Sequence, residues 1–334
     1  MAPKLSMAFL AFAATTIASA NPASAGTLTN VTLIDYPGAP KSTTTAYGVN
    51  NFGTVAGMYE DLAVGFRVFT LTNGVYATVD PPGSVNGSSL VSLNNAGQIV
   101  GFSNTATPPD YGSLYLATKG VYSAFPPSGT TLPPGGSVSF YNDKGAIGGQ
   151  TSTGGFITQG GTVITITPPD GGNVSVNTIN NSNQAVGGYF PAKPPSPTAN
   201  QEGFFFSNGV FTPIYVPGSA VTYANGISDN GVVVGSYNLA QVFPTNGVPY
   251  VPVLGFTYLN GVYTSYSVPG ATRTELNAIN DSGEVAGYEG DALDNRHGFV
   301  AFATTSVPEP ATFLLFGTGL IGLMAFRARS SRIS

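Results

Sequence analysis

One eight-residue pattern occurs six times along this chain, and it restricts the fold more than any other feature. It reads Asn-Asn-Phe-Gly-Thr-Val-Ala-Gly at 50–57 and returns in altered form at 94–101, 142–149, 180–187, 228–235 and 280–287, here numbered repeats one to six. The fourth position is Gly53, Gly97, Gly145, Asn183, Gly231 and Gly283, at spacings of 44, 48, 38, 48 and 52 residues. Glycine takes a positive φ without steric cost, and asparagine is among the few other residues that tolerate one. Asn183 in the place of glycine therefore predicts a left-handed position in a tight hairpin turn, and Asp143, Asp229 and Asp281 read as turn formers beside it.

Two more signals accompany the pattern. An aromatic strand start follows at Gly65-Phe66, Leu114-Tyr115, Gly155-Phe156, Gly203-Phe204, Gly255-Phe256 and Gly298-Phe299. A second turn follows at Asn73-Gly74, Lys119-Gly120, Asn208-Gly209 and Asn260-Gly261, with Gly160-Gly161 taking that role in repeat three. Proline corners at Pro82, Pro127, Pro169, Pro217 and Pro269 close the units. Four short antiparallel strands per unit predict an all-β, six-bladed β-propeller over 26–306. A β-solenoid is the competitor, but its coils are shorter and lack two hairpin turns. One proline corner, at Pro37-Gly38, precedes repeat one, and the last unit has none of its own. The segment Val31–Asp35 is therefore expected to pair with the strand containing Phe299 and close the ring, removing open edges.

Composition excludes much chemistry. The chain has 11 Lys+Arg against 16 Asp+Glu, so nucleic-acid binding has no electrostatic basis. No cysteine is present, and His297 is the single histidine, which rules out thiolate chemistry and a multi-histidine metal site within one chain. No catalytic signature such as Gly-x-Ser-x-Gly or a phosphate loop occurs. Paired carboxylates are the remaining enzymatic route. Glu60, Asp61, Glu289, Asp291 and Asp294 fall in corresponding places of units that ring closure makes neighbours, and as oxygen donors they are candidate Ca²⁺ ligands, although solvated loop charge is the preferred account of them. No other cofactor is expected.

Both ends carry address-like segments. Residues 1–25 have the form of a secretory signal: Lys4, an apolar run from Met7 to Ala18, then Ala18-Ser19-Ala20 and Ala23-Ser24-Ala25, either of which fits the cut site. At the other end, Pro308-Glu309-Pro310 precedes the uncharged stretch 311–326, and Arg327, Arg329 and Arg332 follow. A stretch of this length, ~24 Å as a helix, spans a bilayer with arginine snorkelling and keeps the cluster cytoplasmic. This order, spanning 307–334, resembles the PEP-CTERM sorting signal. The resemblance implies a transmembrane helix recognised by an exosortase as partner and a setting in exopolysaccharide-producing, biofilm-forming bacteria. The six units resemble HAF-type extracellular repeats, whose His-Ala-Phe motif is matched in part by His297-Gly298-Phe299; that family brings no defined chemistry. Together these features point to an exported, non-catalytic cell-surface or matrix protein that contacts exopolysaccharide. The alternative is a secreted propeller polysaccharide hydrolase with a carboxylate pair.

Overall fold

A computed structural model describes residues 23–103, 113–192, 201–238 and 251–304, apart from Ala292 and Asp294. The signal-like segment before Ala23, the stretch 311–326 and the sorting residues Pro308, Glu309, Pro310, Arg327, Arg329 and Arg332 lie outside the described residues. Among the described residues there is no helix long and apolar enough to cross a membrane.

The fold is all-β with a propeller-like arrangement. Repeats one to four each form a separate four-stranded antiparallel blade. The strands are Thr45–Val49, Val55–Asp61, Gly65–Thr72 and Val75–Thr78 in the first, and Ser88–Leu93, Gln98–Ser103, Ser113–Thr118 and Val121–Ala124 in the second. The third has Ser137–Tyr141, Ile147–Thr151, Gly154–Gln159 and Thr162–Ile166, and the fourth Asn173–Ile179, Ala185–Phe190, Glu202–Ser207 and Val210–Ile214. The other strands make one nine-stranded sheet. Its antiparallel pairs fall into two runs: Val221–Ile227, Val233–Asn238, Val253–Leu259 and Val262–Tyr266, then Arg273–Ile279, Glu284–Gly290, Arg296–Thr304 and the N-terminal Thr27–Ile34. One parallel residue pair, Val253 with Arg273, joins the runs. The ninth strand, Ser24–Ala25, lies parallel on the outer edge of Val262–Tyr266. Leu33 stands opposite Phe299, the pairing the sequence led us to expect.

The turns have the backbone that their residues demand. Asn183 has φ 56°, beside 71° at Gly53 and 83° at Gly283. At the second turn both central residues are left-handed, as in Asn73 (50°) and Gly74 (77°), and Gly160-Gly161 (56° and 81°) does the same. This mirror-image turn matches the twist of the strands it joins.

Each innermost strand carries a one-residue register shift at the same place: Ala46/Gly48, Leu90/Ser92, Val138/Phe140, Val176/Thr178, Ala224/Gly226 and Leu276/Ala278. The bulge brings the innermost strand against the last glycine of the motif. A Cβ on Gly235 would lie 1.8 Å from the Tyr223 carbonyl oxygen, and one on Gly187 1.9 Å from that of Ser175. That glycine also faces a buried ring on the third strand: Phe69, Tyr115, Phe156, Phe204, Phe256 or Phe299. In repeat one the ring is Phe69, not the expected Phe66, which is exposed, because Phe66 lies next to the turn and pairs with Glu60, while Phe69 pairs with Gly57. Fully burying each such side chain stabilises by roughly 1.5–3 kcal/mol. Apolar clusters span neighbouring blades, as where Ile157 and Ile166 meet Val174, Val176 and Phe204.

Candidate functional site

All six motif turns follow an innermost strand and gather at one mouth of the central channel. The first motif residue (Asn50, Asn94, Asn142, Asn180, Ser228 or Asn280) is buried. Its side-chain oxygen closes its own turn: Asn180 Oδ1 accepts from the N–H groups of Ser182 and Gln184, both at 3.0 Å. The amide N–H reaches onward to the next repeat. Asn50 Nδ2 donates to Asn94 O (3.3 Å), Asn142 to Asn180 O (3.0 Å), Asn180 to Ser228 O (2.9 Å) and Asn280 to Asn50 O (3.0 Å).

The second motif residue completes a circle. Asn51 N donates to Asn95 Oδ1 (2.8 Å), Ala96 N to Asp143 Oδ1 (3.0 Å) and Asp143 N to Asn181 Oδ1 (3.2 Å). Asn181 N donates to Asp229 Oδ1 (2.7 Å), Asp229 N to Asp281 Oδ1 (2.7 Å), and Asp281 N back to Asn51 Oδ1 (2.8 Å). Asparagine amides also donate to the carboxylates sideways: Asn181 Nδ2 lies 2.7 Å from Asp143 Oδ2 and 2.8 Å from Asp229 Oδ2, and Asn51 Nδ2 2.6 Å from Asp281 Oδ2. Asp143, Asp229 and Asp281 sit in the turns, yet the side chain of the preceding Asn142, Ser228 or Asn280 closes each turn, and these carboxylates are the acceptors that clasp one repeat to the next.

Below this rim lies a cavity of about 280 Å³ on the axis. The bulge places Asn177, Asn225 and Asn277 on its wall, where their amides donate to Ala224 O (3.0 Å), Leu276 O (3.0 Å) and Ala46 O (2.8 Å) of the following repeat. Repeats one to three contribute Tyr47, Val91, Ser92 and Phe140 instead. Ser92 is only 4% exposed and its Oγ has no hydrogen-bond partner. Tyr47 is 46% exposed, so water reaches the cavity from the mouth opposite the Asn/Asp rim. Partial enclosure raises its phenol pKa above the ordinary value, so the group stays neutral.

The acids singled out in the sequence lie towards the far mouth, and they do not converge. Glu60 and Asp61 end a strand beside the corner formed by Tyr36–Pro40, in one cleft. Asp291 and His297 line another cleft, of about 640 Å³, on the other side of that corner. Asp61 binds Arg67 (2.8 Å) and accepts the Ala63 N–H; the latter contact and the guanidinium hold its carboxyl below the usual range. Asp291 is held low by Asn295, whose side chain and backbone N–H both bond it, and by the Leu293 N–H. Glu289 stands opposite His297 across the sheet. Burial pushes its carboxyl up, aided by Asp291 and Asp35 and opposed by His297. His297 Nδ1 lies 2.9 Å from Asp35 Oδ1. Among the described residues, which leave out Asp294, no group of three His, Asp or Glu side chains is placed to hold a metal ion. The physical reason is that the Tyr36–Pro40 corner, with Tyr36 stacked on Tyr59 at 3.6 Å, stands between the two acidic strand ends.

Residues 306–330 match the PEP-CTERM protein-sorting motif. This motif marks the chain for export, membrane anchoring at its C-terminus and processing by an exosortase, a membrane enzyme. No curated protein matches the chain. Among solved structures it is similar to AofleA from Arthrobotrys oligospora (11% identity, TM-score 0.46, covering 81% of this chain and 85% of that one). It is also similar to the β-propeller domain of the Trilobed protease from Pyrococcus furiosus (10%, 0.42, 80% and 100%) and to the Aleuria aurantia lectin (10%, 0.37, 81% and 100%).

Proposed function

We propose that this chain is an exported, non-catalytic surface or matrix protein whose ring holds an extracellular polysaccharide weakly, with strength gained when many copies share one surface. The PEP-CTERM motif at 306–330 carries this reading, because it fixes the route that the body takes. In our reading 1–25 is a secretory signal and 311–326 the transmembrane helix. The repeats are of the HAF type, and the final location is the cell surface or an exopolysaccharide biofilm matrix. The ring has six blades. The nine-stranded sheet counts as two of them, bridged at Val253 and Arg273, and Thr27–Ile34 serves as the closing strand. The unbroken circle of hydrogen bonds from Asn51 round to Asp281 supports that count.

The test uses the full-length chain in its producer. Replacing Pro308, Glu309 and Pro310 by Ala should leave a folded, uncleaved membrane form; release like the wild type would overturn the sorting reading. The purified chain should retain the producer's exopolysaccharide at high NaCl without releasing reducing sugar. The hydrolase alternative draws on one observation: Glu289 is pushed towards its neutral form and Asp291 towards its ionised form beside His297 and a cleft. Sugar release abolished by Glu289→Gln would favour it.

A further inference from the structure

We propose that the axial cavity is a binding site for one neutral, hydroxyl-bearing ring of monosaccharide size. The proposal deepens the polysaccharide reading above and rests on it for the class of ligand.

The two walls of the cavity differ. On one side stand Asn177, Asn225 and Asn277, each with its amide N–H committed to the backbone of the next repeat. Each amide keeps its oxygen and a second N–H, an acceptor and a donor side by side. Such a wall suits groups that both donate and accept hydrogen bonds, as hydroxyls do. The opposite wall is apolar, with Val91 and Phe140, and suits the C–H face of a ring.

Charge narrows the class. No Asp, Glu, Lys, Arg or His lines the cavity, so an ionised ligand would lose its hydration without a counter-charge. Size narrows it again. About 280 Å³ lies at the small end of ligand pockets and suits one sugar ring. Entry is from the mouth that Tyr47 shares with solvent, so the site takes a free monosaccharide or the end of a chain.

Saturation-transfer NMR on the full-length chain in a sugar-free zwitterionic detergent tests this, with methyl β-D-glucopyranoside and methyl β-D-galactopyranoside as probes and glucuronate as the charged control. At least one glycoside should bind saturably, and glucuronate at least ten-fold more weakly. Val91→Phe, which fills the apolar side, should weaken binding at least ten-fold while melting cooperatively. Asn225→Ala, which removes one amide from the polar wall, should weaken it several-fold, and it decides the matter if the Phe variant does not fold. Glycoside binding that ignores both substitutions, glucuronate binding equally well, or no saturable binding of either glycoside would overturn the proposal. If the exopolysaccharide is still retained in any of these cases, the site alone falls; if it is not retained either, the polysaccharide reading falls with it.

Discussion

The two halves of the ring share a motif yet are fastened differently. From repeat four through six and back to one, each junction is joined at three levels. These are the Asn/Asp rim, the bulge asparagines Asn177, Asn225 and Asn277, and one parallel bridge at the far end: Gln201 with Val221, Val253 with Arg273, and Thr43 with Arg296. Thr178 adds a bond to Asn225 O at 2.6 Å. From repeat one to four the rim supplies the repeated polar links, and the bulge position holds Tyr47, Val91 and Ser139, which make no such bond. Each added hydrogen bond contributes about 0.5–1.5 kcal/mol. A repeated motif therefore makes a repeated shape without making equal junctions; the difference lies in residues outside the motif.

The largest expected effect comes from attacking the strongly fastened half at its seam. Deleting residues 26–38 removes the partner of Arg296–Thr304 and exposes strand edges. Thermal melting should lose cooperativity, with Tm lower by roughly 10 °C or more and aggregation on heating; a variant that melts like the parent would mean the seam is not needed for closure. Next, native-state hydrogen exchange should separate the halves directly. Amides of Ser88–Leu93 and Ser137–Tyr141 should exchange about 10- to 100-fold faster than those of Val221–Ile227 and Arg273–Ile279. Equal protection would erase the distinction.

A smaller effect sharpens the cause. Asn225→Ala leaves Leu276 O without its donor and should cost about 1–3 kcal/mol, or several degrees in Tm. Val91→Asn should gain about 1–3 °C by reaching the Val138 carbonyl, the counterpart of Ala224 in the next repeat. No gain there would show that the bulge geometry, rather than the side chain, is what differs.

The smallest effect is a dependence on pH. Glu202, in repeat four, is buried, and burial followed by Asp170 raises its carboxyl pKa above the usual value. The folded state then favours the protonated form, so this stability is present below the unfolded pKa and lost as pH rises through the folded one. Glu202→Gln should raise Tm by about 1–2 °C near neutrality and change nothing in acid. Asp61, in repeat one, is lowered, so its contribution is lost instead as pH falls below the carboxylate range. Melting curves of Glu202→Gln and Asp61→Asn that shift in the same pH window would contradict this opposition.

Much of the architecture was legible in the residues. The Gly-to-Asn exchange at Asn183 announced a positive φ, and unequal repeat ends pointed to the pairing of Leu33 with Phe299. The rim was not legible, because Asn and Asp are favoured at turns for local reasons and their onward reach to another repeat leaves no separate trace. The bulge asparagines lie outside the motif, although a signal exists in retrospect: Asn stands three residues before it in repeats four, five and six (Asn177, Asn225, Asn277) and in no other. Convergence of Glu60 and Asp61 with Glu289 and Asp291 was inferred from adjacency in the ring, and a single intervening corner around Tyr36 was enough to prevent it.

Every backbone link around the rim points the same way: a backbone N–H of one repeat donates to a side-chain oxygen of the next, and Asp281 hands the sequence back to Asn51. Such a circuit has no first or last member even though the polypeptide does. The gene is accordingly free to begin elsewhere: a circular permutant opened at the Pro127 corner, with the present ends of the described body joined, keeps all six links. Unit number has no such freedom. An open solenoid can gain or lose a coil by slippage between similar coding segments, whereas here each unit brings one donor and one acceptor, so a changed number closes the circuit only if the angle between all the units changes with it.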